Sequence, residues 1–324
     1  MGDKLSMSLG PSVPQSSPVA AEAIPQMLNI FIAACACATA LILLWTASHS
    51  ESPIGVVLSV VAFSFVGNTI FSCLHECVHG VFHRTRRVNE SAGIIFAAFF
   101  PTGFSLQRAA HLGHHRRNRT QFEMFDYYSP RDSRVLKTIQ WYGIISGVYW
   151  VVVVLGWIFY LVMPLAFSKQ SRQPNWSELA EHTSGPAYLR SFAMAPPLRS
   201  RLELLGTITF QLLAFQILHL TVTGWFLCYL AFGLQWSALQ YADHAFTPLD
   251  VVEGAWDLRV HPWVQAIFLN YHLHLAHHRH PTLPWVHLPR YVDPSKPRPR
   301  FLAQYARMWL GPRPQPGVLP ISSE

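Results

Sequence analysis

Long apolar runs are spread through most of the chain. Two of them, Met27–Thr46 and Ile54–Leu74, each hold about twenty residues, which as helix span about 30 Å, the thickness of a membrane hydrocarbon core. The short segment Ser50–Pro53 separates them. The pattern therefore predicts a membrane hairpin that returns the chain to its starting side at His75.

The later apolar runs differ in length. Leu204–Leu220 and Trp225–Tyr241 predict two further spans joined by a short turn. Ala92–Phe104 is too short to cross, so we expect it to dip into the membrane and return. Ile139–Phe167 is long for one span and short for two. Because basic segments flank it on both sides, we expect an even number of crossings, as a shallow hairpin or an in-plane helix.

The two ends of the chain lack long apolar runs. Residues 1–25 are polar and predict a disordered cytoplasmic tail, and residues 26–290 form the expected membrane domain. Residues 291–324 are rich in proline, with a short amphipathic helix expected at Phe301–Leu310 on the membrane surface. The predicted fold is an all-α integral membrane protein, with about four transmembrane helices and a cytoplasmic helical cap.

Composition supports a membrane protein. Hydrophobic residues make up 51% of the 324 residues and charged residues only 13%, about half the fraction of a soluble domain. The net charge of +7 fits a positive cytoplasmic face, and no nucleic-acid-binding module accompanies it. Arginines follow the first hairpin, and the link Ser168–Leu202 is also basic, so both are expected in the cytoplasm.

Candidate chemistry lies in the 17 histidines, several of which cluster. Spacings of three and four residues place side chains on one helix face. The clustered histidines fall into an H-x-x-x-H group, two H-x-x-H-H groups and one residue just past a span: His75 and His79; His111, His114 and His115; His274, His277 and His278; and His244. All four groups are expected at the same membrane face. Nine imidazoles exceed what one ion binds, so the pattern predicts two metal ions.

The ordered set resembles the membrane fatty acid desaturase superfamily from Ile54 to Pro289. The matching pieces are His75-Glu76-Cys77-Val78-His79-Gly80, His111-Leu112-Gly113-His114-His115 and the run from Asn270 to Pro281. The resemblance implies a non-haem di-iron centre, with two iron ions and dioxygen as co-substrate, that removes hydrogen from an unactivated C–H bond. The reaction that the resemblance favours most is desaturation of an acyl chain or related lipid. Hydroxylases, ketolases and decarboxylating alkene formers of the same superfamily are the alternatives.

Two positions depart from the family pattern. Alignment on Asn270-Tyr271-His272 would select His272 as the ligand, whereas the H-x-x-H-H spacing selects His274. Relatives carry an asparagine four residues before the isolated histidine that reaches a metal through water, and here Gln240 stands at that position. Carboxylates that often orient metal-bound imidazoles are also near the motifs: Asp126, Asp243 and Glu76.

The predicted partners follow from what the sequence lacks. It carries no haem-binding module, no nucleotide-binding glycine fingerprint and, with five cysteines and no C-x-x-C, no cluster-ligating motif. Electrons are therefore expected from a separate ferredoxin, rubredoxin or cytochrome that docks on the basic face. The other partners expected are the membrane and a lipid or acyl substrate, with the active site facing the cytoplasm and no nucleic acid.

Two other classes of protein compete with this interpretation. His75-Glu76-Cys77-Val78-His79 also satisfies the H-E-x-x-H motif of an intramembrane zinc protease, with Glu76 as general base. That class leaves both H-x-x-H-H groups unexplained. A metal transporter would place its ligands near the membrane midplane, whereas these histidines lie at span ends.

Overall fold

The computed structural model describes residues 22–130, 132–163 and 191–316. Residues 1–21 of the predicted tail, most of the predicted basic link Ser168–Leu202 and residues 317–324 lie outside these ranges. The described part is mostly helical. Its only strands are β1 (Tyr127–Tyr128) and β2 (Arg313–Pro314), which have two residues each and pair in parallel. The predicted all-α fold class is confirmed.

The first two helices form the predicted hairpin. Helix α1 spans Gln26–His49 and helix α2 spans Pro53–His79. The Ser52 hydroxyl accepts a hydrogen bond from the Gly55 N–H, and proline at the first helical position has no N–H to leave unsatisfied there. Helix α2 runs past the predicted end at Leu74, so the first histidine group forms its last turn. Gly80, at φ +76°, ends the helix in the left-handed region that favours glycine.

Two shorter helices follow. Helix α3 spans Arg86–Phe99, and helix α4 spans Phe104–Arg117 and carries the second histidine group. The apolar segment Ala92–Phe104 therefore comprises the second half of α3, a turn and the first residue of α4. The Ser105 N–H and hydroxyl donate to Glu203, which anchors the start of α4.

The ambiguous segment 139–167 contains a sharp bend. Helix α5 (Arg134–Ile145) and helix α6 (Val148–Val162) meet at 92°, with Gly147 at φ +92° between them. This bent pair is either a broken span or a re-entrant loop by length and composition.

Helix α7 (Pro197–Ile217) and helix α8 (Val222–Ala242) complete the long helices. Within the described ranges, α1, α2 and α8 are long and apolar enough to cross a membrane, and the bent pair raises the number to as many as four. The helix over the predicted span Leu204–Leu220 is not among these candidates. The helix that contains it begins at Pro197, and its first turns carry Arg199, Arg201 and Glu203.

The C-terminal part folds back beneath the long helices. It contains α9 (Pro262–Ile267), α10 (His274–Arg279), a 3-10 turn at Leu288–Tyr291 and α11 (Phe301–Met308). Helix α11 matches the predicted amphipathic helix. Its Met308 is buried and accepts a hydrogen bond at its carbonyl from the Trp141 Nε1–H at 2.7 Å, whereas Leu302 is exposed.

Candidate metal centre

Four segments bring the nine predicted histidines to one end of the helix bundle. The first group lies on the last turn of α2, and the second lies on α4. His244 follows the end of α8, and the third group lies on α10. The three groups and the isolated histidine are far apart in sequence, so only the tertiary fold brings them together.

The nine side chains separate into two clusters. In each cluster, one ligand atom per residue lies within 4.8 Å of every other. Consecutive histidines on α4, and likewise on α10, belong to different clusters, so the two clusters lie side by side. The ring centroids of His115 and His278, one from each cluster, are 4.4 Å apart. The five-histidine cluster is His75, His79, His111, His115 and His277, and the four-histidine cluster is His114, His244, His274 and His278.

Ring nitrogens converge inside the five-histidine cluster. The Nε2 atom of His111 lies 2.9 Å from that of His79 and 3.0 Å from that of His115. His115 Nε2 is also 3.0 Å from His277 Nε2. A neutral imidazole has one donor nitrogen and one acceptor nitrogen. A chain of short Nε2–Nε2 contacts therefore brings nitrogen lone pairs close together. Converging imidazole lone pairs are the donor set of a transition-metal site.

Outer hydrogen bonds orient two rings of the four-histidine cluster. His114 Nδ1 lies 2.6 Å from Glu123 Oε2, and His244 Nδ1 lies 2.8 Å from the Gly254 carbonyl oxygen. Each contact fixes Nδ1 as the donor and leaves Nε2 with a free lone pair. His278 Nε2 is buried without a hydrogen-bond partner among the described residues. The arrangement fits a second metal ion.

The charge state of the imidazoles fits metal binding. Burial lowers the pKa of His111, His115 and His277, and neighbouring histidines lower it further. Burial likewise lowers the pKa of His244, and the nearby His114 adds to the effect. These rings are therefore neutral at pH 7, which is the form that binds a metal ion.

Asp126 does not reach a histidine, so its predicted role beside a metal-bound imidazole is wrong. Its carboxylate pairs with the Arg119 guanidinium at 2.5 and 3.0 Å and accepts a hydrogen bond from the Phe246 N–H at 2.6 Å. Tyr241 donates to the same carboxylate. This buried network ties the chain after α4 to the segment that carries His244. Glu123, three residues earlier, makes the histidine contact instead.

The structure separates His272 from His274. Helix α10 begins at His274, so that residue shares a helix face with the other two histidines of its motif, whereas His272 precedes the helix. The run from Asn270 becomes helical only at His274, after Leu269 and Asn270 adopt positive φ angles. His272 is buried outside both clusters, and burial lowers its pKa to about 4.

Gln240 also lies outside both clusters. Its Oε1 accepts a hydrogen bond from the Tyr271 hydroxyl at 3.3 Å. Its Nε2 is buried without a partner among the described residues. A water-mediated role for Gln240 at a metal stays a prediction.

Hydroxyl groups on α2 position the segment before the third motif, a role that the sequence pattern did not predict. Thr69 Oγ1 donates to the Ile267 carbonyl at 2.9 Å, and Ser72 Oγ donates to the Phe268 carbonyl at 3.0 Å. The Asn270 amide then donates to the Trp285 carbonyl. The available signal was the presence of polar side chains inside an apolar span, which is often functional.

Comparison with known proteins agrees with the geometry. The family model described as fatty acid desaturase matches residues 51–311, which is most of the chain and includes all nine histidines. No curated protein matches the chain.

Proposed function

The chain belongs to the fatty acid desaturase family, and from that membership we propose that it is an oxygen-dependent di-iron oxidoreductase that desaturates an acyl chain or related lipid. The observation that carries the proposal is the division of nine buried or half-buried histidines into adjacent clusters of five and four. We propose these nine residues as the iron ligands. The zinc-protease alternative would use only the first motif and would leave the other seven histidines unexplained.

Iron is the metal that fits both the donor set and the family. Imidazole binds iron, copper, nickel and zinc alike, but zinc has no redox states with which to oxidise an alkyl chain. When bound, two iron ions would supply the redox chemistry that couples dioxygen reduction to C–H cleavage. The protein orients the rings of His114 and His244 through Glu123 and the Gly254 carbonyl, and burial keeps the His244 ring neutral.

An apolar interior beside the centre supports a lipid substrate. A cavity between α2, α3 and α8 is lined by Phe63, Gly67, Ile70, Phe99, Phe100 and Phe232. Aromatic contacts lead from it toward the metal centre: Phe100 packs on Phe71, Phe71 on Tyr271, and Tyr271 on His75, with ring centroids 5.1, 5.8 and 5.2 Å apart. This cavity has room for about one water molecule (about 10 Å³), so we propose that an alkyl chain binds along these apolar walls after their side chains move apart.

Desaturation removes two hydrogen atoms from the chain and, with two electrons and two protons, reduces dioxygen to two waters. We propose that a separate ferredoxin, rubredoxin or cytochrome supplies the electrons. All three histidines of the second group are half-buried, with the His114 side chain 19% exposed, and the exposed Arg116 follows them directly. An acidic protein surface suits this basic region. Turnover by the pure chain with NAD(P)H alone would overturn the need for a donor.

We propose that the centre faces the cytoplasm. The N-terminus of α1 and the C-termini of α2 and α8 lie at the same end as the histidines, since Asn29 near the start of α1 donates to the Phe82 carbonyl just beyond the first motif. Residues 22–83 and 202–258, which hold the three candidate spans and their turns, contain no lysine or arginine. Basic residues are instead concentrated at the histidine end, as expected for a cytoplasmic face.

The test is lipid profiling of cells that express the wild-type chain or His278→Ala. A product two hydrogens lighter, formed only with oxygen and absent in the variant, is the expected result. A product one oxygen heavier would replace desaturation with hydroxylation. Oxygen-independent peptide cleavage, lost in Glu76→Gln, would replace the proposal with a zinc protease.

A further inference from the structure

Asp243 is a buried carboxylate with no hydrogen-bond partner. The residue is 0% exposed, and neither Oδ1 nor Oδ2 accepts a hydrogen bond from any residue that the structure describes. Within the described ranges it is the only carboxylate whose two oxygens are both buried without a hydrogen-bond partner. Burial of an unpaired carboxylate is costly, and proteins offset the cost by pairing it or by binding a cation. A cation bound beside Asp243 would offset this cost.

Each oxygen lies beside one ring of the four-histidine cluster, although neither belongs to the set of ligand atoms within 4.8 Å of one another, so the carboxylate would turn toward a bound ion. Oδ2 lies 3.5 Å from His274 Nδ1, and Oδ1 lies 3.9 Å from His244 Nε2. Because the Gly254 carbonyl holds His244 Nδ1, Nε2 is the ring atom that points into the cluster. Oδ1 therefore borders the same space as the lone pair of His244.

The two clusters differ in the number of imidazoles, five against four. Transition metals bind carboxylate oxygen together with imidazole nitrogen. Gln240, the side chain expected to serve this cluster, has its oxygen engaged by the Tyr271 hydroxyl. Asp243 is thus the polar group available to make the smaller cluster equal in size to the larger one.

We propose that Asp243 is the fifth protein ligand of the four-histidine cluster and binds its metal ion through the carboxylate. The inference rests on the proposed di-metal function and adds a chemical difference between the two sites. One ion is held by five neutral imidazoles, and the other by four imidazoles and an anion. The anionic ligand favours the more highly charged state of its own ion relative to the neighbouring ion.

The first experiment measures binding of Co²⁺, used as the probe, to the full metal-free chain in detergent. Wild type is expected to bind two ions. Asp243→Asn preserves shape but removes the charge, and its second ion is expected to bind more than about 100-fold more weakly, beyond the range for outer-sphere residues. The matched control is Asp257→Asn, a carboxylate of similar burial whose Oδ1 accepts the Ala276 N–H at 3.0 Å. It is expected to bind both ions as wild type does.

The second experiment distinguishes a ligand from an orienting residue. Asp243→Cys places a thiol at the proposed ligand position, and a thiolate bound to Co²⁺ gives a sulfur-to-metal charge-transfer band. We expect that band in Asp243→Cys and not in wild type or Asp257→Cys. Absence of the band, or a smaller loss of affinity in Asp243→Asn, would overturn the assignment of Asp243 as a ligand.

These results separate the inference from the function on which it rests. If wild type binds two Co²⁺ ions but Asp243→Asn does so equally well, only the role of Asp243 fails. If wild type itself binds fewer than two ions, the di-metal function fails first.

Discussion

Replacement of Glu123 by glutamine tests how the protein orients the four-histidine cluster. Glu123 is 2% exposed, and its Oε2 lies 2.6 Å from His114 Nδ1. Its Oε1 accepts from the Arg117 Nε–H at 3.0 Å. Glutamine keeps the shape of the side chain but removes the negative charge, and its amide nitrogen cannot accept the His114 N–H.

The expected loss follows from the role of the contact. Removal of an outer carboxylate costs a metal site about 10–100-fold in affinity, or about 1.4–2.7 kcal/mol. The loss should fall on one of the two ions, because Glu123 contacts His114 of the four-histidine cluster and no member of the other cluster. The broken ion pair with Arg117 should also lower the melting temperature, since removal of one partner of a buried pair is destabilising.

Co²⁺ titration and thermal unfolding measure the two effects separately. The matched control is Glu203→Gln, which removes a buried carboxylate that accepts from the Ser105 N–H and hydroxyl and from Arg199. The control should lose stability but keep both metal affinities. Equal affinities in Glu123→Gln and wild type, with a lower melting temperature, would refute an orienting role for Glu123.

Three further outcomes are expected. His274→Ala should bind fewer than two ions, whereas His272→Ala should still bind two, as measured by elemental analysis; the reverse would restore His272 as the ligand. Asp126→Ala should lower the free energy of unfolding by about 3–5 kcal/mol, because it leaves the Arg119 charge buried and unpaired. The identity of the bound metals should not change, and an unchanged melting temperature would contradict the expected loss. The metal-free chain should lose stability as pH falls from about 6.5 through about 4, because burial lowers the pKa of His272 and the unfolded chain takes up a proton that the folded chain does not. In denaturation measured across this range, His272→Ala should lose less stability than wild type but should still lose some, because burial also lowers the pKa of the cluster histidines. An equal loss in both proteins would contradict a contribution from His272.

The sequence predicted the parts of the fold that depend on local pattern. Continuous apolar runs predicted the hairpin of α1 and α2, and the two H-x-x-H-H spacings predicted helical faces that the structure places on α4 and α10. The length of an apolar run did not predict the start of a helix where charged residues extended that helix. The helix over Leu204–Leu220 begins at Pro197 and includes charges that the apolar run omitted.

The carboxylate contacts show what sequence could not decide. Glu123 and Asp126 are three residues apart and equally close to the second motif, yet the first contacts His114 and the second contacts Arg119. Their directions depend on the backbone after α4, where Arg119 has φ +60°. The division of neighbouring histidines between two clusters likewise depends on how α4 and α10 face each other. Sequence spacing places residues on one face but does not determine which partner that face meets.

The metal content of the full chain, purified from iron-supplied cells, tests most directly whether the nine histidines hold two ions. It is measured beside His111→Ala from the five-histidine cluster and His278→Ala from the four-histidine cluster. The wild-type chain is expected to hold two iron ions, and each variant fewer than two. Zinc in both sites would still support two sites, because histidine sites accept zinc when it is available. A single metal ion per wild-type chain, retained in both variants, would contradict the claim that the nine histidines hold two ions.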